Sequence, residues 1–102
     1  LLRLESHNIY GVIVDNFSKI HIVRHQQKLL NEPMYPYISI LPVSSAVTVT
    51  LKGFVYDLVR TRLRAGTSMG ISNEISRKSA TISVHHGQAL VIRSRDQSIY
   101  IG

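Results

Sequence analysis

The sequence predicts a mainly β protein, a small single-domain barrel or sandwich with a C-terminal β-meander and one short helix. Three observations carry this. Val47, Val49 and Leu51 alternate with Thr48 and Thr50, the period-two pattern of a half-buried strand. Lys52-Gly53 and His86-Gly87 are turn signals set between β-rich runs. The best helical stretch outside the centre, Arg24 to Asn31, has room for only about two turns before Pro33.

In chain order, Leu1 to His7 reads as a lead-in. Ile9 to Val14 is a β-rich run, Asp15-Asn16 turns the chain, and Ile20 to Val23 returns it. A helix through Ile9 to Phe17 is weakened by Gly11 and the β-branched Val12, Ile13 and Val14. Gln26, Gln27, Lys28, Leu29 and Leu30 favour a helix over Arg24 to Asn31. Pro33 and Pro36 bracket Met34 and Tyr35. Tyr37 to Leu41 is then a short strand ended by Pro42, and the prolines push it toward an edge.

Ala46 to Ala65 is the centre of the chain. A tight hairpin at Lys52-Gly53 sets Leu51 opposite Phe54, Val49 opposite Tyr56 and Val47 opposite Leu58. Arg60, Arg62 and Arg64 continue that alternation as a cationic ribbon. A competing pattern is also present: Asp57 is a good N-cap and Gly66 a good C′ residue, which gives an α+β alternative with a helix at 57–65. Gly66 to Ser76 reads as a loop. Ala80 to His85, Ala89 to Ser94 and Ile99-Tyr100-Ile101 read as the strands of the meander.

The chain has 102 residues, which fits one domain over 1–102, and 44% hydrophobic residues suffice for a small core. It begins with Leu, so it reads as a processed product or a fragment of a longer chain. Cysteine is absent, which excludes disulfides, thiolate nucleophiles and Cys-type zinc sites and fits a reducing compartment such as the cytoplasm. No apolar run approaches the roughly 18 residues of a membrane span, and no signal peptide is visible. Asn16-Phe17-Ser18 is an acceptor sequon, read here as a turn.

Twelve Lys and Arg against six acids leave a formal charge of +6. Such an excess points to a polyanion, most directly nucleic acid. The candidate surface is Arg60, Arg62, Arg64, Arg77, Lys78, Arg93 and Arg95, with Phe54 and Tyr56 as stacking platforms. Against it stands the simpler reading that the aromatics are core and the arginines a solvated strand end.

His21 and His25 have helical ligand spacing but no carboxylate beside them, and His85 and His86 point to opposite faces of a strand, so no metal site is expected. No Walker-type loop, no Gly-x-Gly-x-x-Gly and no Gly-x-Ser-x-Gly is present, and the acids are scattered. The expectation is a non-enzymatic binding module without cofactor.

The alternative is a structural subunit of a multi-protein assembly such as a virion or ring component. It would join protein partners or further copies through the edges at Tyr35, Tyr37, Ile99, Tyr100 and Ile101. Ile22 to Ile40, with Arg24, Gln26, Gln27, Pro33 and Pro36-Tyr37-Ile38, is faintly similar to small phage neck or tail-completion proteins. The similarity ends at Val43 and carries no family assignment.

Overall fold

The structure, a computed structural model, describes residues 13–14, 18–66, 69–70 and 72–95. Nine strands run through them: β1 (Ile13–Val14), β2 (Ser18–Val23), β3 (Gln26–Leu30), β4 (Tyr37–Pro42), β5 (Ala46–Lys52), β6 (Leu58–Arg64), β7 (Asn73–Glu74), β8 (Ser79–His86) and β9 (Ala89–Ser94). They form two antiparallel sheets, one ordered β1-β2-β9-β4-β7 and the other β3-β8-β5-β6. Among the described residues neither sheet closes on itself, so the fold is an open sandwich and not a closed barrel. No helix of the described residues is long and apolar enough to cross a membrane.

The strand alternation places the core. Val47, Val49 and Leu51 of β5 turn inward while Thr48 and Thr50 are half-buried on the outer face. Ala80 and Ile82 do the same on β8. They meet Val23, Ile38, Ile40 and Val91 of the facing sheet, with Leu29 and Leu63 completing the layer. β9 lies between β2 and β4, so all six of its residues are buried, and its run Ala89-Leu90-Val91-Ile92 is apolar without alternation.

Four features differ from the sequence expectations. The stretch read as a helix near Arg24 to Asn31 is strand β3, paired with β8 along its whole length. Only Leu29 of β3 is buried. A helix there would bury one leucine too, but it would leave the β8 edge unpaired, and backbone pairing overrides weak propensity. The alternative helix at 57–65 is also absent. Those residues form β6 on the edge of β5, and Asp57 caps no helix: its carboxylate accepts the Phe54 N–H at 2.9 Å.

The hairpin register is the third difference. Leu51 faces Leu58, Val49 faces Thr61 and Val47 faces Leu63. The connection is therefore Gly53 to Asp57 rather than a two-residue turn. A bulge follows, with Arg60 at φ 43°. The bulge puts Leu63 in the core and leaves Arg62 and Arg64 exposed.

The fourth is the meander. β8 and β9 lie in different sheets, and Gly87 carries the chain across the sandwich. Its φ of 84° and the approach of Ala46 O, 2.7 Å from where a Cβ would sit, leave room for glycine alone. The last expected strand, Ile99 to Ile101, lies outside the described residues, as does all of Ile9 to Val14 before Ile13. Ile13 and Val14 do pair with Ile20 and Lys19 as a hairpin.

Candidate functional site

One end of the sandwich gathers three connections: 31–36, 53–57 and 75–78. They are sewn together by backbone polar groups. Asn31 N–H donates to Lys78 O at 2.9 Å, and its side-chain amide donates to Arg77 O at 2.9 Å. Ser76 donates to Gly53 O through both its N–H and its hydroxyl, at 2.9 and 3.0 Å. Phe54 bridges to Ile75, and its ring is buried beneath the turn. This anchoring lets the next residues stand proud of the core.

Tyr56 follows, 70% exposed, with Val55 and Val59 also exposed beside it in the chain. Its ring is open to solvent while its backbone is held on both sides. Tyr56 N–H donates to Asn73 Oδ1 at 3.1 Å, and Asn73 Nδ2 donates to Tyr56 O at 2.8 Å. The neighbouring rung is Val55 N–H to Glu74 O at 2.7 Å. Asn73 is buried, seated on β7 opposite Ile38 of β4. The result is an aromatic ledge on a rigid support, with the exposed carboxylate residues Asp57 and Glu74 next to it in the same two segments.

A second polar cluster lies between β2, β3 and β9. Glu32 accepts from Lys19 Nζ and from Arg93 Nη1, both at 2.7 Å, and Arg93 also donates to Leu30 O at 2.6 Å. Lys19 Nζ sits 5.5 Å from the centre of the Tyr35 ring. Burial, opposed by the Glu32 charge, lowers the Arg93 pKa from its ordinary value. His21 lines the same open depression of about 330 Å³, and its Nε2 is buried without a hydrogen-bond partner among the described residues. Burial first, then the charge of Arg93, lowers the His21 pKa, while the Gln27 side chain acts in the opposite direction. Here one carboxylate bridges two cations, the arrangement of a structural network that keeps a net positive charge.

The residues expected to form a polyanion surface are not brought together as one ribbon. Phe54 is core, Arg93 is buried and paired with Glu32, and Arg60 is turned by the bulge. Arg62 and Arg64 are exposed on β6, Arg77 and Lys78 on the 75–78 connection, and Arg95 just past β9. Of the expected edge residues, Tyr35 is half-buried beside Lys19 and Tyr37 is half-buried on β4, which β7 and β9 flank. Ile99, Tyr100 and Ile101 lie outside the described residues. Asn73 and Glu32 carry no sequence signal of their role: each is a single polar residue in a stretch that reads as loop.

The chain is similar to known proteins in fold and in sequence. Residues 18–89 match the family model described as thiamin pyrophosphokinase, vitamin B1 binding domain. A thiamine pyrophosphokinase from Bacillus subtilis superposes with a TM-score of 0.81 at 30% identity, over 87% of this chain and 42% of that one. A thiamin pyrophosphokinase from Geobacillus thermodenitrificans gives 0.76 at 33% identity, over 87% and 42%. A thiamin pyrophosphokinase family protein from Enterococcus faecalis gives 0.72 at 23% identity, over 83% and 40%, a likeness of fold alone. No curated protein matches. This chain thus spans about two-fifths of the length of these relatives.

These findings overturn three expectations. The nucleic-acid or polyanion module and its alternative, the structural assembly subunit, give way to a vitamin-binding family. The expectation of a non-enzyme falls with them, because the family and its structural relatives are kinases of thiamin by name. Net charge misled because it reports association in general and not the chemistry of a site. The match over residues 18–89 spans β2 to the start of β9 and both sheets, and on that evidence the chain belongs to the thiamin pyrophosphokinase family through its vitamin B1 binding domain.

Proposed function

We propose that this domain binds thiamin and forms the vitamin-recognising part of a thiamin pyrophosphokinase, with the Tyr56 ledge as the contact surface. Family membership supports the ligand. The observation that carries the site is the Tyr56 ring, 70% exposed on a backbone fixed at both its N–H and its carbonyl.

Thiamin joins a flat aminopyrimidine to a positively charged thiazolium. An aromatic face stacks on the first and attracts the second. The exposed Asp57, next to Tyr56 in the chain, and the exposed Glu74, next to Asn73, add negative charge to these two segments. The Lys19–Glu32–Arg93 cluster has the opposite balance, two cations to one carboxylate, and disfavours a cationic ligand. The sequence has no glycine-rich phosphate loop. This reading therefore assigns only the vitamin side of the reaction to the domain, and the pyrophosphoryl donor to the part of such enzymes that this chain does not span.

The test is calorimetric titration of thiamin into this chain. Tyr56→Ala is expected to weaken binding about tenfold, the upper range of a lost aromatic contact. Arg64→Ala, on the exposed side of β6, is expected to bind as the parent does. Equal affinity of Tyr56→Ala and the parent would remove the ledge from the site.

A further inference from the structure

Asn73 is an unusual residue to find 3% exposed in a segment of glycine, serine and asparagine. Buried side-chain amides are retained where their donors and acceptors are matched. Here the match is to Tyr56, through both its N–H and its carbonyl, with the adjacent Glu74 N–H sharing the acceptor. Oδ1 takes the Tyr56 N–H at 3.1 Å and the Glu74 N–H at 2.9 Å, while Nδ2 gives to Tyr56 O at 2.8 Å. An amide side chain offers the same donor and acceptor pair as a peptide group. Asn73 therefore stands in for a rung of backbone pairing, one step on from the Val55 N–H to Glu74 O bond.

The segment it holds has no ladder of its own at that point. Between the end of β5 at Lys52 and the start of β6 at Leu58, the segment is held by the two Ser76 bonds to Gly53 O, the Phe54–Ile75 bridge, the Val55 N–H to Glu74 O bond, the Asp57 turn and the Asn73 pair, and of these only the Asn73 pair holds Tyr56. Asn73 is in turn fixed from behind. It pairs with Ile38 in the register of β4 and β7, and the preceding Ser72, at φ 61°, donates its N–H to the buried Ser39 Oγ at 3.2 Å. A ring that is exposed yet must present one face gains from such a support, because ordering it beforehand removes an entropic cost from binding.

We infer that Asn73 is a positioning residue for thiamin recognition, acting through Tyr56 by fixing its backbone and hence the plane its ring offers. This rests on the reading that Tyr56 contacts the vitamin. It predicts that Asn73 matters to binding only while the Tyr56 ring is present.

A double-mutant cycle on this chain tests it, with thiamin as the titrant and calorimetry as the readout. Asn73→Ala is expected to weaken binding about fivefold to tenfold with Tyr56 in place, and less than twofold in the Tyr56→Ala background. Losses of the same factor in both backgrounds would overturn the inference, since a merely structural residue weakens binding whatever stands at 56. If Tyr56→Ala alone binds as the parent does, the ledge reading fails, and this inference with it. Should Asn73→Ala not fold, Asn73→Asp keeps the two acceptor bonds and loses the donor to Tyr56 O, and the same non-additivity is expected. Backbone amide exchange gives a second readout. Tyr56 N–H should exchange faster in Asn73→Ala and remain protected in Asn73→Asp, and unchanged protection in Asn73→Ala would overturn the clamp.

Discussion

Arg93 reaches from β9 of one sheet to Glu32 just beyond β3 of the other, its Nη1 2.7 Å from Glu32 Oε2. The same Nη1 donates to Leu30 O at 2.6 Å, so one guanidinium fastens the two layers where β3 ends. The arginine side chain is 5% exposed and the carboxylate 32%. The cation is thus the buried partner, and Glu32 is the group that keeps it tolerable there.

Removing Glu32 should therefore cost more than an exposed ion pair does. Glu32→Gln leaves Arg93 buried with a neutral acceptor, and partial exposure of the site moderates the penalty to about 2 kcal/mol. In a domain of this size that lowers Tm by roughly 10 °C. Thermal unfolding followed by circular dichroism measures it. A change under about 2 °C would show that the network contributes little.

Stability should fall as the solution turns acid through the titration of His21. Its folded pKa lies below the unfolded value of 6.5, from burial and the charges of Arg93 and Lys19, with Gln27 and Glu32 opposing. The neutral ring is the folded form, so the unfolded chain binds more protons between the two pKa values. The stabilisation is complete above pH 6.5 and is lost as pH falls from there toward the lower, folded value. His21→Gln should flatten this part of the profile. Chemical denaturation at several pH values between 7.5 and 5 measures it, and parallel profiles for parent and variant would exclude His21 as the source.

Gly53 and Gly66 both adopt positive φ, at 87° and 89°, but only Gly53 is crowded. A Cβ on Gly53 would lie 2.9 Å from Ser79 O and 3.1 Å from Ala80 Cα, both backbone atoms of β8, whereas one on Gly66 meets nothing within 4 Å. Gly66→Ala carries the dihedral cost alone, about 1 kcal/mol. Gly53→Ala adds a clash that only backbone movement relieves, for a total of about 3 kcal/mol. Urea denaturation of the two variants should separate them by that margin, and equal midpoints would refute the close approach.

Much of the strand content is legible in the residues. The alternations Val47-Val49-Leu51 and Ala80-Ile82 coincide with the buried faces of β5 and β8. Gln26 to Leu30 is illegible as a strand, because a single buried leucine among polar residues has no period. Tyr56 is legible as an aromatic in a β-rich run, but its exposure depends on the five-residue connection and the bulge at Arg60, which shift the register. Asn73 and Glu32 are invisible as partners, for their bonds cross 17 and 61 residues of chain to Tyr56 and Arg93.

The residues by themselves determined that the chain is mainly β, where most of its strands lie and which side chains of β5 and β8 face inward, since these follow from local alternation and turn chemistry. Tertiary structure decided which strands pair, that β8 and β9 part into different sheets, and which polar groups meet at the ledge and between the layers. A glycine turn looks the same whether it returns a strand to its own sheet or carries it across the sandwich. Only the burial gained by closing two apolar faces on each other, a sum over residues distant in sequence, distinguishes the two.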